Sequence, residues 1–211
     1  MERALTADRW VCLDIGETLI DETRVWSTWA TVLGVTPLVL MATMGVEIAA
    51  GRSYDTALTR IDPSWPDRLE EKEAAYGGFR AEDLYPDALP ALAAYRDAGL
   101  GVAVIGNQPP SRTAELRAIG VEPDVMAMSD ELGVSKPDPA FFAAALEAMG
   151  GVPADRVTYV GDRVDNDVVA ASAAGLRTVH LRRGPWGLLG PQADGRADGV
   201  VDGLLEVLDH L

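Results

Sequence analysis

Residues 10–18 read Trp-Val-Cys-Leu-Asp-Ile-Gly-Glu-Thr, four apolar residues followed by an acidic one. A short apolar run without polar alternation is typical of a strand that is buried on both faces of a sheet. We therefore predict a strand over 10–13 that ends at Asp14. In open α/β sheets, sites form at the carboxyl ends of the strands, so Asp14 is the first candidate site residue.

The residues after Tyr85-Pro86 alternate between helical and strand patterns. Gly99 and Gly175 end two of the helical stretches, as glycine often does. Strands separated by helices of about ten residues predict right-handed crossovers and a parallel sheet. The predicted strands are 101–105, 125–128, 157–160, 177–181 and, at the edge, 200–201. The predicted helices are 88–98, 111–118, 139–149, 165–174 and 204–211.

Residues 19–80 show no strand alternation, and their pattern predicts helices over 22–33, 37–50, 53–60 and 66–75. We therefore predict an α/β fold with a Rossmann-like parallel sheet, helices on both faces and a small all-α cap domain. Residues 1–18 and 82–211 would form the core domain, and residues 19–81 the helical cap domain inserted after the first strand.

Charge and composition exclude several classes of function. The formal net charge of −15 argues against binding to nucleic acid, which requires clustered basic residues. Cys12 is the only cysteine, and Met1–Arg9 is unlike a signal peptide, so we expect a cytoplasmic protein. The longest apolar region, 32–46, is shorter than the ~20 residues of a membrane span. It could serve as an interface, and we expect a monomer or a homodimer.

Polar residues follow the predicted strands at one edge of the sheet. The chain has sixteen arginines but only two lysines, so Lys136 in one of these loops stands out from its background. Carboxylates gathered this closely repel one another unless a cation compensates them. Oxygen ligands without His or Cys nearby favour Mg²⁺. The candidate site residues are Asp14, Gly16, Gly106, Asn107, Lys136, Asp162 and Asp167.

The segments Lys136-Pro137-Asp138-Pro139 and Gly161-Asp162, the latter followed by Asp167, make the pattern specific. With Asp14 and the loop after the second strand, they resemble the four motifs of the haloacid dehalogenase-like superfamily, in order and with the same cap placement. The resemblance covers nearly the whole chain, although the cap matches only in position and helical character.

The resemblance implies a role for each matching residue. Asp14 would be the nucleophile of a phosphatase and would form an aspartyl-phosphate. Asp14, the backbone carbonyl of Gly16 and Asp162 would hold Mg²⁺, with Asp167 as a ligand or as a partner of a ligand. Lys136 would neutralise Asp14 and the phosphoryl group, and Gly106 and Asn107 would contact phosphate oxygens. The substrate would be a small phosphorylated metabolite.

Two positions depart from the family pattern. Gly16 stands where family phosphatases commonly have an aspartate that acts as general acid and base, and Gly106 stands where Ser or Thr is usual. Loss of acid–base help lowers a rate by about 10²- to 10⁴-fold. The substrate could therefore carry a leaving group that needs no proton, Glu17 or a cap residue could supply the acid, or turnover could be poor.

Three functions remain open at this point. The first is a Mg²⁺-dependent phosphatase. The second is a 2-haloacid dehalogenase, which uses an aspartate nucleophile without a metal, and the pair Asp162 and Asp167 favours the phosphatase over it. The third is a catalytically impaired binding or regulatory protein, for which Gly16 and Gly106 are the evidence.

Overall fold

The structure, a computed structural model, describes residues 7–211, so residues 1–6 of the Met1–Arg9 segment lie outside it. Its strands are β1 (Trp10–Leu13), β2 (Gly101–Gly106), β3 (Val125–Met128), β4 (Val157–Gly161), β5 (Arg177–Leu181) and β6 (Gly199–Val201). They form one parallel sheet in the order β3-β2-β1-β4-β5-β6. The predicted Rossmann-like sheet is confirmed.

Helices follow the strands as the sequence predicts. In the first half of the chain they are α1 (Thr23–Val32), α2 (Pro37–Ala49), α3 (Tyr54–Ile61), α4 (Leu69–Tyr76) and α5 (Ala88–Asp97). The second half contains α6 (Ser111–Ala118), α7 (Ser129–Leu132), α8 (Pro139–Ala148), α9 (Val169–Ala173) and α10 (Gly184–Leu189). Short 3₁₀ segments add Trp65–Arg68, Ala81–Asp83, Ala154–Arg156 and Leu204–His210.

The central strand β1 packs apolar side chains on both faces of the sheet. Val11 and Leu13 belong to the core cluster that contains Leu92 of α5. Cys12 lies in the other cluster, with Phe141 of α8. This division follows from the alternation of side chains along a strand, and it explains why residues 10–13 are all apolar.

Helices α1, α2 and α3 build a third apolar cluster, separate from the two clusters of the sheet. Trp26, Trp29, Leu40 and Leu58 are buried in it, and Trp186 of α10 joins them from the core. These helices lie in the region predicted to form the cap, for which the boundaries 19–81 stay a prediction.

The chain enters and leaves this helical region through two paired segments. Asp21 N–H donates to Asp83 O at 2.7 Å, and Tyr85 N–H donates to Leu19 O at 2.9 Å. Ile20 and Leu84 form an antiparallel bridge between these segments. The segment that leads from β1 into the helices and the segment that returns from them to α5 therefore lie side by side.

Three of the predicted helices differ in the structure. The helix predicted over 66–75 is a 3₁₀ segment, Trp65–Arg68, followed by α4. The helix predicted over 165–174 begins with a π-turn, Val164–Val168, and the helix predicted over 204–211 is 3₁₀. The π-turn is closed by the bond that Val168 N–H donates to Arg163 O, five residues back, at 3.3 Å, and the Asp167 side chain accepts from Arg163 N–H at 2.9 Å.

Within residues 7–211, no single helix is long and apolar enough to cross a membrane. Among these residues, only α1 and α2 taken together are long and apolar enough, and they are bent by 113° relative to each other.

Candidate active site

Asp14, Asp162 and Asp167 meet at the carboxyl edge of the sheet, as the sequence predicts. Each offers a carboxylate oxygen, and these atoms lie within 4.8 Å of one another. Lys136 Nζ lies 2.8 Å from Asp14 Oδ1 and 2.6 Å from Asp167 Oδ1. Residues distant in sequence thus form a single buried cluster of three carboxylates and one ammonium.

Neighbouring strands bring two of these carboxylates together. Asp14 follows β1 and Asp162 follows β4, and these strands pair directly. The backbone of Asp14 continues the ladder, because its N–H donates to Val160 O at 2.9 Å. Asp167 returns to the same edge through the π-turn, and its Oδ2 accepts from Arg163 N–H at 2.9 Å.

Lys136 enters the cluster from the loop between α7 and α8. Burial lowers the pKa of its ammonium, but the adjacent Asp14 and Asp167 outweigh burial and leave the pKa above its ordinary value. The lysine therefore stays charged. In the next turn of chain, Asp138 accepts a hydrogen bond from Ala140 N–H and begins α8.

Asp162 is the carboxylate whose charge is least compensated. Burial and the neighbouring Asp167 and Asp14 raise its pKa well above the ordinary value. Within the described part of the chain, its buried Oδ2 has no hydrogen-bond partner. A buried carboxylate oxygen without a donor is suited to a cation, and these hard oxygen ligands fit Mg²⁺.

The loop after β2 is joined to the lysine loop by Asn107. Its Oδ1 accepts from Lys136 N–H at 2.8 Å, and its Nδ2 donates to Lys136 O at 2.9 Å. Asn107 also lines the cavity beside Asp14, and among residues 7–211 its Nδ2 donates only to Lys136 O, which leaves one amide hydrogen for a ligand. Gly106 lies against the same carboxylate, since a Cβ built there would contact Asp14 Oδ1 and come within 3.2 Å of Ile15 Cδ1.

Gly16 faces a carboxyl group that no sequence motif marks. A Cβ built on Gly16 would lie 2.9 Å from Glu22 Cδ and 3.5 Å from Glu22 Oε2. Burial, with Glu17 and Asp14 nearby, raises the pKa of Glu22 to about 8. No sequence pattern links these positions, because the chain must turn between 16 and 22 before they meet.

Glu17 is buried, and both oxygens of its carboxylate accept hydrogen bonds from the protein. Its Oε2 accepts from the Tyr85 hydroxyl at 2.5 Å, and its Oε1 accepts from Glu22 N–H at 3.0 Å. Its backbone has a positive φ of 51°, an arrangement that is uncommon outside glycine. Glu17 therefore shapes the turn that precedes α1.

A cavity of about 310 Å³ separates the acidic cluster from the helical region. Asp14, Gly16 and Glu22 lie on its wall together with Lys72 of α4. Much of the remaining wall is aromatic, and the volume suits a small metabolite. These aromatic residues are Trp26, Trp29, Tyr54, Trp65, Phe79 and Trp186.

Comparison with known proteins identifies the family. The sequence model of the family described as "haloacid dehalogenase-like hydrolase" matches residues 9–175. This chain belongs to the haloacid dehalogenase-like hydrolases. The family assignment confirms the resemblance inferred from the motifs around Asp14, Lys136 and Asp162, and it makes the protein an enzyme of the hydrolase class.

Two relatives and one solved structure are similar to this family member. It is 34% identical over 166 residues to "Glyceraldehyde 3-phosphate phosphatase" of Methanopyrus kandleri, covering 75% of this chain and 70% of that protein. It is 37% identical over 123 residues to "Phosphoserine phosphatase" of Thermus thermophilus, covering 56% of this chain and 49% of that protein. The crystal structure of a predicted phosphoglycolate phosphatase from Haemophilus somnus superposes with a TM-score of 0.71 at 21% identity, covering 95% and 96% of the two chains.

Proposed function

We propose that this haloacid dehalogenase-like hydrolase is a Mg²⁺-dependent phosphatase that acts on a small phosphorylated metabolite through an aspartyl-phosphate at Asp14. The observation that carries the proposal is the buried cluster in which Lys136 contacts Asp14 and Asp167 while Asp162 Oδ2 has no hydrogen-bond partner among residues 7–211. The names of the two phosphatase relatives support the same reaction class.

The nucleophile in this proposal is a carboxylate oxygen of Asp14. A carboxylate attacks an anionic phosphorus only if cations offset the repulsion between them. Lys136 supplies one such charge at a fixed position, 2.8 Å from Asp14 Oδ1. The remaining amide hydrogen of Asn107, beside Gly106, would donate to a phosphate oxygen.

Asp14, the backbone carbonyl of Gly16 and Asp162 would hold Mg²⁺. When bound, the ion would supply positive charge to the phosphoryl oxygens. Asp167 would act mainly through its partners, because one of its oxygens accepts from Lys136 Nζ and the other from Arg163 N–H.

The surroundings of the site complete the proposal. Residues 19–81 would form the cap domain that selects the leaving group, since its aromatic residues line the cavity. In a homodimer, the exposed Leu38, Val39 and Val46 would form the contact. We also propose that the protein is cytoplasmic, because its Cys12 is a buried free thiol, as expected in a reducing compartment.

Hydrolysis of p-nitrophenyl phosphate with Mg²⁺ and with EDTA tests this function. We expect activity that requires Mg²⁺ and is abolished in Asp14→Asn, whereas Asp97→Asn, the same change at an exposed residue of α5, should match the wild type. Equal background rates in the wild type and Asp14→Asn would instead support a binding protein. Chloride release from 2-chloropropionate in EDTA would support a dehalogenase.

A further inference from the structure

We propose that the carboxyl group of Glu22 is the general acid and base of this enzyme and takes the place of the side chain that Gly16 lacks. The inference rests on the proposed phosphatase function. It assigns a catalytic residue at a position, six residues after Gly16, where the motif pattern predicts none.

The first argument is the shared volume of the two positions. A Cβ on Gly16 would lie 2.9 Å from Glu22 Cδ, which is closer than two unbonded carbon atoms can approach. A carboxyl group at position 16 and the Glu22 carboxyl therefore exclude each other as placed. The glycine leaves room for an acid that reaches the site from another part of the chain.

The second argument is how the chain holds Glu22 in place. Glu22 immediately precedes α1, and its N–H donates to Glu17 Oε1 at 3.0 Å. Glu17 is held in turn by the Tyr85 hydroxyl. A bridge between Gly16 and Ile20 closes the turn. The backbone of Glu22 is thus anchored to the same turn that carries Gly16, while its side chain lies on the cavity wall with Asp14.

The third argument compares Glu22 with the other glutamates on the cavity wall. Both carboxylate oxygens of Glu17 accept hydrogen bonds from the protein. Glu73 is bound by Lys72 at 2.6 Å and by Arg112 at 2.7 Å. The Glu22 carboxyl instead faces the Gly16 side of the cavity, next to the proposed nucleophile.

The chemistry needs one carboxyl proton, which is used and regained. In the first step an Asp14 oxygen bonds to phosphorus, the bond from phosphorus to the leaving oxygen breaks, and Glu22 gives that oxygen its proton. In the second step a water oxygen bonds to phosphorus and its proton passes to Glu22, while the bond between Asp14 and phosphorus breaks. Phosphate leaves, and both carboxyl groups return to their starting state.

The variant Glu22→Gln tests the assignment, because it keeps the shape of the side chain and removes the acid. With β-glycerophosphate, whose leaving oxygen needs a proton, we expect kcat/KM to fall about 10²- to 10⁴-fold. With p-nitrophenyl phosphate, bond cleavage needs little proton transfer, but hydrolysis of the intermediate still needs the base. We therefore expect a burst of p-nitrophenolate equal to the enzyme concentration, followed by slow turnover.

A matched control and a swap variant complete the design. Glu71→Gln makes the same change at an exposed position of α4 and should behave as the wild type on both substrates. Glu22→Ala combined with Gly16→Asp moves the carboxyl to position 16. This swap variant should be at least about tenfold more active than Glu22→Ala alone. A swap variant no faster than Glu22→Ala counts against an acid at this point.

The outcomes separate this inference from the function on which it rests. If the wild type is active and Asp14→Asn is inactive, yet Glu22→Gln matches the wild type on β-glycerophosphate and shows no burst, the Glu22 assignment is overturned and the phosphatase stands. If the wild type hydrolyses neither substrate in the presence of Mg²⁺, the proposed function itself is overturned.

Discussion

The side-chain amide of Asn107 and the backbone of Lys136 form two hydrogen bonds, one in each direction, at 2.8 and 2.9 Å. The loop after β2 and the loop before α8 are therefore fixed to each other next to the acidic cluster. Because Lys136 contacts both Asp14 and Asp167, this pairing sets the position of the ammonium as well as that of the loops.

Replacing Asn107 by Ala removes both hydrogen bonds. Each is worth about 0.5–1.5 kcal/mol, so we expect the free energy of unfolding to fall by about 1–3 kcal/mol. A displacement of Lys136 by about 1 Å should lower kcat by about 10²-fold. Urea unfolding and steady-state kinetics with p-nitrophenyl phosphate measure the two effects. A variant that keeps the wild-type kcat would show that Lys136 is positioned without this pairing.

The lysine itself gives a second prediction. Lys136→Met leaves Asp14 and Asp167 without the charge that compensates them. Removing one partner from a buried ion pair typically costs about 3–5 kcal/mol, so we expect a comparable loss of stability and no measurable turnover. Thermal unfolding and a kinetic assay check this. Arg80→Met, at an exposed position, is the control. Lys72→Met is unsuitable because Lys72 lines the cavity.

Asp162 gives a prediction about metal binding. With Mg²⁺ at 100 times its dissociation constant, the wild type should gain about 2.7 kcal/mol of stability, and Asp162→Asn should lose most of this gain. In EDTA the same variant should be no less stable than the wild type, because a buried uncompensated charge has been removed. Thermal unfolding with and without Mg²⁺ measures both effects.

The control for this experiment lies three residues away, in the π-turn. Asp165 is exposed and pairs with Arg163 at 2.9 Å, outside the cluster. Asp165→Asn should therefore keep the full stabilisation by Mg²⁺. Equal Mg²⁺ stabilisation in the wild type and Asp162→Asn would contradict the proposed metal site.

Asp83 gives a prediction about pH. Burial raises the pKa of its carboxyl, but hydrogen bonds from the Arg24 side chain and Arg80 N–H outweigh burial and leave the pKa below its ordinary value. A lowered pKa contributes stability above the pKa of the unfolded chain, about 3.9 for Asp, and this contribution is lost as the pH falls.

We therefore expect Asp83→Asn to lower the free energy of unfolding by about 1–3 kcal/mol at pH 7. The difference from the wild type should shrink as the pH falls below about 4, because the unfolded chain is protonated there first and the folded state only at its lower pKa. Urea unfolding across pH 3–7 measures this, with Glu82→Gln, in an exposed pair with Arg80, as the control. A difference that stays constant with pH would exclude the charge of Asp83 as its source.

The sequence predicts most of the fold because its signals are local. The apolar run 10–13 marks a strand, and Asp138-Pro139 marks the start of a helix, since Asp caps a helix and Pro suits its first turn. The short helices α7 and α10 were not predicted, because four and six residues carry too little periodicity. The π-turn before α9 depends on the hydrogen bond from Val168 N–H to Arg163 O, which no periodicity in the sequence predicts.

The same contrast between local signals and tertiary contacts applies to the residues of the site. Asp14, Asp162 and Asp167 were predicted to lie together because strand order brings the ends of parallel strands to one edge, and their ligand atoms do meet there. Glu22 was missed because its approach to Gly16 depends on a turn that tertiary contacts close, through the hydroxyl of Tyr85. The roles assigned to these residues stay predictions.

The pairing of Asp21 with Asp83 and of Tyr85 with Leu19 has a consequence for the architecture as a whole. The helical insert is joined to the sheet at essentially one location, so its two ends are already as close as the ends of a hairpin. Helices of another length could follow Glu22 and return to Asp83 without moving any strand. The acidic cluster and the helices that line its cavity can therefore change separately, as long as residue 22 is kept.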